Sequence, residues 1–208
     1  MIALFLSVLA VFAILLLSEV GWRKGWFVNE LGRKFVHITV GSFVAFWPFF
    51  LSWGQIRFLS AAFLIVVIIT TYFNVFHAIS VQRPTYGEFF FAAIVGILAC
   101  LSISKSVYTA AILQMSLADG LAAVVGVRYG RDNKYHVLGH IKSLAGTFAF
   151  LATSSLILAG YSIFSVAGLP VGAILIGASG AAALENLGVM GLDNLLVPLF
   201  IALLLTHV

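Results

Sequence analysis

Asp119 is the residue of this chain whose surroundings most demand a chemical role. It lies in an apolar stretch, and small residues follow it at helical spacing, namely Ala122, Ala123 and Gly126, so the carboxylate shares one helix face with a groove. Close helix packing is the usual reason for small residues at this spacing, and it explains the alanines and the glycine but not the aspartate. A carboxylate among apolar side chains is costly unless it is paired. We therefore expect a cation, a metal ion or a basic partner beside Asp119.

A basic segment follows Asp119 and leads into another apolar stretch. Exposed N–H groups at a helix start, hydroxyl groups and Lys or Arg side chains are the groups that bind phosphate, although the glycines and the spacing of a P-loop are missing here. The alternative is a basic loop that contacts anionic lipid headgroups. The predicted phosphate-binding residues are Gly126, Arg128, Arg131, Lys134, Lys142, Ser143, Gly146 and Thr147.

A second group of ionisable residues opens an earlier apolar stretch. Glu30, Arg33, Lys34 and His37 have i, i+3, i+4 and i+7 spacing and so share one helix face. Interfacial anchoring by long basic side chains is the plain interpretation of Arg33 and Lys34. His37 lies inside the apolar stretch, where an ionisable group usually faces a polar interior. We therefore expect His37 to be catalytic, with Arg33 and Lys34 binding the anionic ligand.

Three further carboxylates are candidates for a metal site. Glu88 follows the polar turn 83–87, and Glu185 and Asp193 flank a glycine-punctuated turn between two apolar stretches. Both segments also fit plain connecting turns, because Pro, Gly and Asx residues favour them. Mg²⁺ is bound by one or two carboxylates together with phosphate oxygens. The predicted metal ligands are Asp119, Glu88, Glu185 and Asp193, and Arg83 is a further predicted anion-binding residue.

Composition places these residues in a membrane protein. Of the 208 residues, 62% are hydrophobic and 9% are charged, with a mean hydropathy of +1.16, whereas a soluble domain carries about 25% charged residues. So few charges cannot cover a water-facing surface, which excludes a soluble enzyme, a disordered protein and a coiled coil. An all-α, polytopic bundle of membrane-spanning helices remains. We attribute the net charge of +4 to loops at lipid headgroups rather than to binding of nucleic acid.

The apolar stretches predict about eight spans, or seven if one of the two shortest is not a span, in a single transmembrane domain covering 1–208. The predicted spans are Ile2–Val20, Phe35–Trp53, Phe58–Ile79, Phe89–Ile103, Val107–Val127, Leu144–Phe164, Leu169–Leu187 and Leu195–Val208. The fourth and the last are the short ones.

The charges are distributed unequally between the two ends of these spans. Nine of the eleven basic residues fall on one side, and the other side has only Arg57 and Lys105. The positive-inside rule assigns the basic side to the cytoplasm, so with eight spans both termini lie outside. All seven carboxylates gather at the same cytoplasmic side. This clustering of both signs predicts an active site there for a charged, water-soluble substrate.

The ordered set of motifs resembles the dolichol kinase and phytol kinase family, which also includes CTP-dependent diacylglycerol kinases. The motifs are Glu30-x-x-Arg33-Lys34-x-x-His37, Arg83-Pro-Thr-Tyr-Gly-Glu88, Asp119-Gly-Leu-Ala-Ala-x-x-Gly126, Lys142-Ser-x-x-Gly146-Thr and Glu185 followed by Asp193-Asn194-Leu-x-Val-Pro198. The resemblance implies a membrane kinase that uses CTP and a divalent cation to phosphorylate the terminal hydroxyl of a lipid alcohol. It places the nucleotide-binding segment at residues 119–147. Ala145 stands where the family pattern often has Glu, and Glu88 or Glu185 is expected to fill that role.

Phosphoryl transfer requires alignment and charge neutralisation rather than covalent help. We expect Lys142 and the basic loop to hold the triphosphate, and the lipid alcohol to enter laterally from the bilayer. Asp119 would accept the proton of the hydroxyl, and if Asp119 is fully engaged with metal, His37 or Asp193 is the base. The enzyme alternative is a CTP:phosphatidate cytidylyltransferase. A small ion-coupled transporter is the alternative of another class, although transport sites usually lie near the midplane.

Overall fold

The computed structural model describes residues 1–26, 30–73, 86–165 and 168–208, and within them the protein is an all-α bundle with one short hairpin. This confirms the predicted fold class. The helices are α1 (Ile2–Arg23), α2 (Glu30–Ala45), α3 (Trp53–Phe73), α4 (Gly87–Leu101), α5 (Lys105–Leu113), α6 (Asp119–Tyr129), α7 (Leu144–Phe164), α8 (Val171–Leu187) and α9 (Asp193–His207). A π-helical turn, Gln114–Ala118, joins α5 and α6 into one continuous rod.

Four helical rods of the described chain are long and apolar enough to cross a membrane, namely α1, α3, the α5–α6 rod and α7. The helices α4, α8 and α9 are apolar but shorter. The second span was predicted as Phe35–Trp53, but α2 ends at Ala45 and a 3-10 turn follows at Trp47–Phe49. Pro48 lies in that turn, and proline disfavours helical backbone in the residue before it. The predicted end of the third span, Ile79, and Arg83 both lie outside the described residues.

The interior is densely packed where α4, α5, the π-helical turn and α9 meet. Ile94, Leu98, Ile112, Met115 and Ile201 are all fully buried there. This core lies within the bundle, between its two ends, and the polar residues described below extend from one end of it.

The π-helical turn lies directly before Asp119 and sets the direction in which α6 continues. Its Gln114 is fully buried and donates from Nε2 to the carbonyl oxygen of Ser154 on α7, at 3.1 Å. Its Ser116 donates to the carbonyl of Ile112 at 2.9 Å. Single π-helical turns inside longer helices are frequent at functional sites, because the wider turn rotates the residues that follow it.

Glycines bring α2 unusually close to the α5–α6 rod. A Cβ atom at Gly41 would lie 2.2 Å from the Cβ atom of Ser116, and one at Gly120 would lie 2.2 Å from Cγ1 of Ile38. Neither atom is the end of a flexible chain, so only glycine fits at these two positions. Small residues permit this kind of backbone approach between membrane helices.

Residues 134–143 form a β-hairpin where the sequence predicted a loop. Its strands are β1 (Lys134–Val137) and β2 (His140–Ser143), which pair antiparallel with Lys134 opposite Ser143. The two turn residues, Leu138 and Gly139, have φ values of 46° and 80°. Positive φ at both positions is the geometry of the tight turns that match strand twist.

The turn between α8 and α9 is fixed against the start of α4. Met190 and Gly191 have φ values of 55° and 89°, and the carbonyl of Met190 accepts a hydrogen bond from the backbone N–H of Tyr86 at 2.9 Å. Asn194 donates from Nδ2 to the carbonyl of Gly87 at 2.9 Å. These bonds hold Asp193, the first residue of α9, in a fixed position.

The close approach at Gly41 predicts a large effect for a small substitution. Gly41→Ala forces a methyl group against Ser116, and overpacking of this kind costs about 1–3 kcal/mol, so the melting temperature in detergent should fall by about 2–10 °C. Gly160→Ala on α7 is the matched control, because a Cβ atom there meets nothing within 4 Å and alanine favours the helix. Equal melting temperatures for the two variants would contradict the packing described here.

Candidate active site

A cavity of about 590 Å³ lies at the end of the bundle where α2, α8 and the hairpin meet α6. It brings together residues from six elements, namely α2, α6, the hairpin, α7, α8 and α9. Of the residues predicted from the sequence, those that line it are Arg33, Lys34, Asp119, Gly126, Arg131, Lys134, Lys142, Ser143, Gly146, Thr147, Glu185 and Asp193.

Three predicted site residues lie outside this lining. Arg128 is exposed, with its guanidinium 5.7 Å from the ring centroid of Tyr129, and does not line the cavity. Glu88 lies 4.0 Å from Arg33, between Oε1 and Nη1, and also lies outside the lining. His37 lies behind the lining, in contact with Asp119. Arg83 falls outside the described residues.

Lys34, His37 and Asp119 form a buried ionic cluster between α2 and α6. The ammonium of Lys34 donates to Oδ2 of Asp119 at 2.5 Å, and Nε2 of His37 lies 3.3 Å from the same oxygen. The side chains of Lys34 and Asp119 are 8% and 9% exposed. Both contacts use Oδ2, so Oδ1 of Asp119 remains for a ligand. The close approach at Gly41 and Gly120 is what allows the two helices to bring these groups into contact.

The proton on His37 can be assigned from its second contact. Nε2 lies 2.9 Å from the carbonyl oxygen of Met115, and a carbonyl oxygen only accepts. Nε2 therefore donates to this carbonyl. Because Nε2 also lies 3.3 Å from Oδ2, His37 helps to orient the carboxylate of Asp119.

Three carboxylates meet inside the cavity. Carboxylate oxygens of Asp119, Glu185 and Asp193 lie within 4.8 Å of one another. Lys34 pairs with Asp119, and Lys142 pairs with Oε1 of Glu185 and donates to its backbone carbonyl at 3.0 Å. Asp193, in contrast, forms no ion pair with another described residue, so its carboxylate has no ammonium partner. Oxygen ligands with an uncompensated charge are suited to a hard divalent cation.

Lys142 stays charged in this environment. Burial disfavours its ammonium form, but the carboxylates of Glu185, Asp193 and Asp119 outweigh that effect and raise the pKa of Lys142 above its usual value. The lysine is therefore a permanent cation at the cavity wall near neutral pH.

The start of α7 is already capped by side chains. Asn133 accepts from the backbone N–H of Leu144 through its carbonyl, at 3.0 Å, and from that of Ala145 through Oδ1, at 3.4 Å. Ser143 Oγ accepts from the N–H of Gly146 at 3.1 Å. The N–H groups that the sequence suggested for phosphate therefore have partners. The positive end of the helix dipole still points at the cavity.

The small-residue stripe after Asp119 serves close packing as well as the cavity. A Cβ atom at Gly146 would lie 2.9 Å from the carbonyl oxygen of Ala122 and 3.4 Å from Cα of Gly126. Ala122, Ala123 and Gly126 also line the cavity. The stripe therefore brings α7 against α6 and leaves room for a ligand beside Asp119.

Arg131 and Lys134 lie at the exposed mouth of the cavity. Neither forms an ion pair with another described residue. Two cations with free donors beside the dipole of α7 can bind an anion that enters from water. Arg33, which is 7% exposed, adds a third positive charge deeper in the cavity.

The sequence did not predict the residues that hold the hairpin in place. The hydroxyl of Tyr135 hydrogen-bonds to Thr147 on α7 and to Oδ1 of Asn186 on α8. Asn133 caps α7 as described above. The local capping signal is Ser143, directly before α7, and nothing in the local sequence indicates that Asn133 reaches the same helix start or that Tyr135 faces Asn186. Ala145, which stands where the family pattern often has Glu, does not line the cavity, whereas Glu185, one of the two residues expected to fill that role, does.

The arrangement combines buried carboxylates suited to a divalent cation, exposed cations suited to phosphate groups and an oriented carboxylate oxygen on Asp119. This is the set of groups that phosphoryl transfer requires.

Comparison with known proteins identifies the family. The chain is 33% identical to the phytol kinase of Synechocystis sp. (strain ATCC 27184 / PCC 6803 / Kazusa) over 201 residues, which covers 92% of this chain and 85% of the relative. No family model matches the chain, and no solved structure matches it. The resemblance seen in the sequence motifs is thereby confirmed, and the chain belongs to the dolichol kinase and phytol kinase family of membrane lipid kinases.

Proposed function

We propose that the protein transfers the γ-phosphate of CTP to the terminal hydroxyl of a lipid alcohol of the phytol or polyprenol type. The observation that carries the proposal is the meeting of three carboxylates within 4.8 Å inside a cavity whose mouth carries free cations. The similarity to a phytol kinase supports the class of acceptor. CTP as donor comes from the resemblance of the motifs, because cations recognise phosphates and not a base.

The phosphates of CTP bind at the mouth of the cavity. Arg131 and Lys134 contact them first, and Arg33 and Lys142 neutralise charge further in. Gly146 and Thr147 keep the start of α7 close to the phosphates, so its dipole adds a favourable field. Arg128 remains a predicted phosphate ligand for the bound nucleotide, although its side chain lies outside the cavity lining.

The carboxylates fit Mg²⁺. Glu185 and Asp193 are the residues proposed to hold it beside Asp119, since Mg²⁺ in kinases is usually bound by one or two carboxylates and by substrate phosphates. When bound, the ion would neutralise charge on the β- and γ-phosphates. Lys142 keeps Glu185 in place, and the hydrogen bonds around Met190 and Asn194 keep Asp193 in place.

Asp119 positions the hydroxyl of the lipid alcohol and accepts its proton through Oδ1. The alcohol oxygen then forms a bond to the γ-phosphorus, the bond between that phosphorus and the β–γ bridging oxygen breaks, and CDP leaves. Lys34 and His37 hold Oδ2, so Asp119 is oriented before the substrate arrives. His37 is a positioning residue in this mechanism.

The functional test is an assay with purified protein, Mg²⁺, CTP and a panel of lipid alcohols. We expect a phosphorylated alcohol and CDP, with CTP preferred over ATP. Release of pyrophosphate would instead indicate a cytidylyltransferase, and nucleotide-independent counterflow in proteoliposomes would indicate a transporter. The cavity is proposed to face the cytoplasm, with both termini outside, so CTP added to sealed inverted vesicles should be used and CTP added to right-side-out vesicles should not.

Asp119→Asn tests the role of the carboxylate in this reaction. The amide oxygen still accepts from Lys34 and His37, but it is not a base, so turnover should fall at least about 10²-fold. Membrane insertion should persist, because the shape of the side chain is kept. Turnover and the yield of detergent-extracted protein are the measurements.

Asp132→Asn is the matched control for that variant. Asp132 is exposed in the same polar segment and lies outside the cavity lining, so the variant should behave as the wild type. Retention of more than about a third of wild-type turnover by Asp119→Asn would show that Asp119 is not the base.

A further inference from the structure

A second, apolar cavity lies between α1, α2 and α3. Its volume is about 100 Å³, and its lining is apolar apart from Ser7 and the indole nitrogen of Trp47. The hydroxyl of Ser7 donates to the carbonyl of Ala3 within α1 at 2.8 Å, so it requires no partner from a ligand. Hydrocarbon suits the apolar side chains that make up most of this lining, because a polar group placed among them would lose its hydrogen bonds to water.

This cavity is a groove that opens sideways out of the bundle. Val40 and Val44 of α2 form its floor and are each 3% exposed. Phe12 on α1 lies at the rim and is 46% exposed, and Ala62 and Phe63 form the wall on α3. The main packing partner of α1 within the described chain is α2, so α1 and α3 flank the floor without closing over it.

The floor of the groove continues along α2 to the active site. Arg33, His37, Val40 and Val44 follow one another at spacings of three and four residues, which places them on one stripe of the helix. Arg33 lines the polar cavity and Val44 lines the groove, about 16 Å further along α2. That distance is about half of the hydrocarbon thickness of a bilayer.

Aromatic contacts join the two sites as well. The ring of His37 packs edge-on against Phe91, with centroids 5.5 Å apart, and Phe91 packs against Phe63 at 6.3 Å. Phe63 belongs to the groove, and His37 contacts the carboxylate of Asp119. Ring contacts therefore link the wall of the groove to the histidine that contacts Asp119.

We propose that this groove binds the hydrocarbon chain of the lipid alcohol while its hydroxyl lies at Asp119. The inference rests on the proposed function and adds the site of the chain. A chain held between α1 and α3 enters from the bilayer without crossing water, and its length beyond the hydroxyl contributes to binding. Each methylene group buried there adds to the affinity.

The proposal is tested by filling the groove and varying the chain. The acceptors are one alcohol with a single isoprene unit and one of phytol length. Ala62→Phe should raise KM for the long alcohol about tenfold, as expected for a few methylene groups that lose their burial, and leave KM for the short alcohol unchanged. Val11→Phe, on the α1 side of the groove, should have the same effect, which guards against a folding defect in one variant.

Ala61→Phe is the matched control, because Ala61 precedes Ala62 on α3 but is exposed and does not line the groove. A long alcohol with a photoreactive diazirine near its tail should label α1 and α3 in the wild type and should label them less in Ala62→Phe. Unchanged chain-length dependence in both groove variants, or labelling confined to α7–α9, would overturn the proposal.

Failure of the kinase activity and failure of the groove to bind the chain give different results. A wild-type protein that phosphorylates neither alcohol would refute the proposed function, and the photolabelling would still report whether the groove binds the chain. A wild-type protein that phosphorylates both alcohols with equal KM would refute the groove and leave the kinase activity intact.

Discussion

The ion pair between Lys34 and Asp119 determines how α2 lies against α6. Either group alone would be costly in an apolar bundle, and the loss of one partner of a buried pair is more damaging than replacement of both. The 2.5 Å contact is possible only because glycines at 41 and 120 let the helix backbones approach. The same contact uses Oδ2 and leaves Oδ1 of Asp119, a residue that lines the cavity, for a ligand, so helix packing and the orientation of the proposed base have one physical cause.

Around that pair, the site has carboxylates that the fold holds in place and, at the mouth of the cavity, exposed cations that can move. Glu185 is held by Lys142, and the α8–α9 turn is held against α4, so the carboxylates are positioned by the fold. Arg131 and Lys134 at the mouth are exposed side chains that can adjust to a nucleotide. A rigid acidic interior with adaptable cations at the entrance suits a reaction in which positioning and charge neutralisation provide the catalysis. The groove between α1 and α3 is proposed to position the hydrocarbon chain of the lipid in the same way.

The helical architecture could be predicted because long apolar stretches define the helices. The acidic site residues could be predicted because they interrupt those stretches. Asp119, Glu185 and Asp193 stand out against long apolar stretches, and the bounds predicted for Leu144–Phe164 agree with those of α7. The pairing of Lys34 with Asp119 was not predicted, since it joins residues 85 positions apart and depends on helix packing. The hairpin was missed because its turn residues, Leu138 and Gly139, are not a usual signal for such a turn.

The prediction that free N–H groups at the start of α7 bind phosphate lacked information on the conformation of the preceding loop. Exposed N–H groups at the start of α7 were expected from the helix pattern alone, but Asn133 and Ser143 already cap them. Whether a loop side chain turns back to cap a helix depends on the loop conformation, which one sequence does not fix. The orientation of Arg128 away from the cavity, against Tyr129, depends on the same local detail.

The central claim is that the Lys34–Asp119 pair holds the fold while the carboxylate of Asp119 performs the chemistry. A double-mutant cycle with Lys34→Met, Asp119→Asn and the combined variant, read by thermal stability and by turnover, tests it most directly. Lys34→Met should be strongly destabilising, by about 3–5 kcal/mol, because it leaves a buried carboxylate without its partner, and Asp119→Asn should be less so because its amide oxygen still accepts from Lys34. The combined variant should recover most of that stability and none of the turnover. Additive losses of stability, within about 0.5 kcal/mol, or recovered turnover in the combined variant would contradict the account.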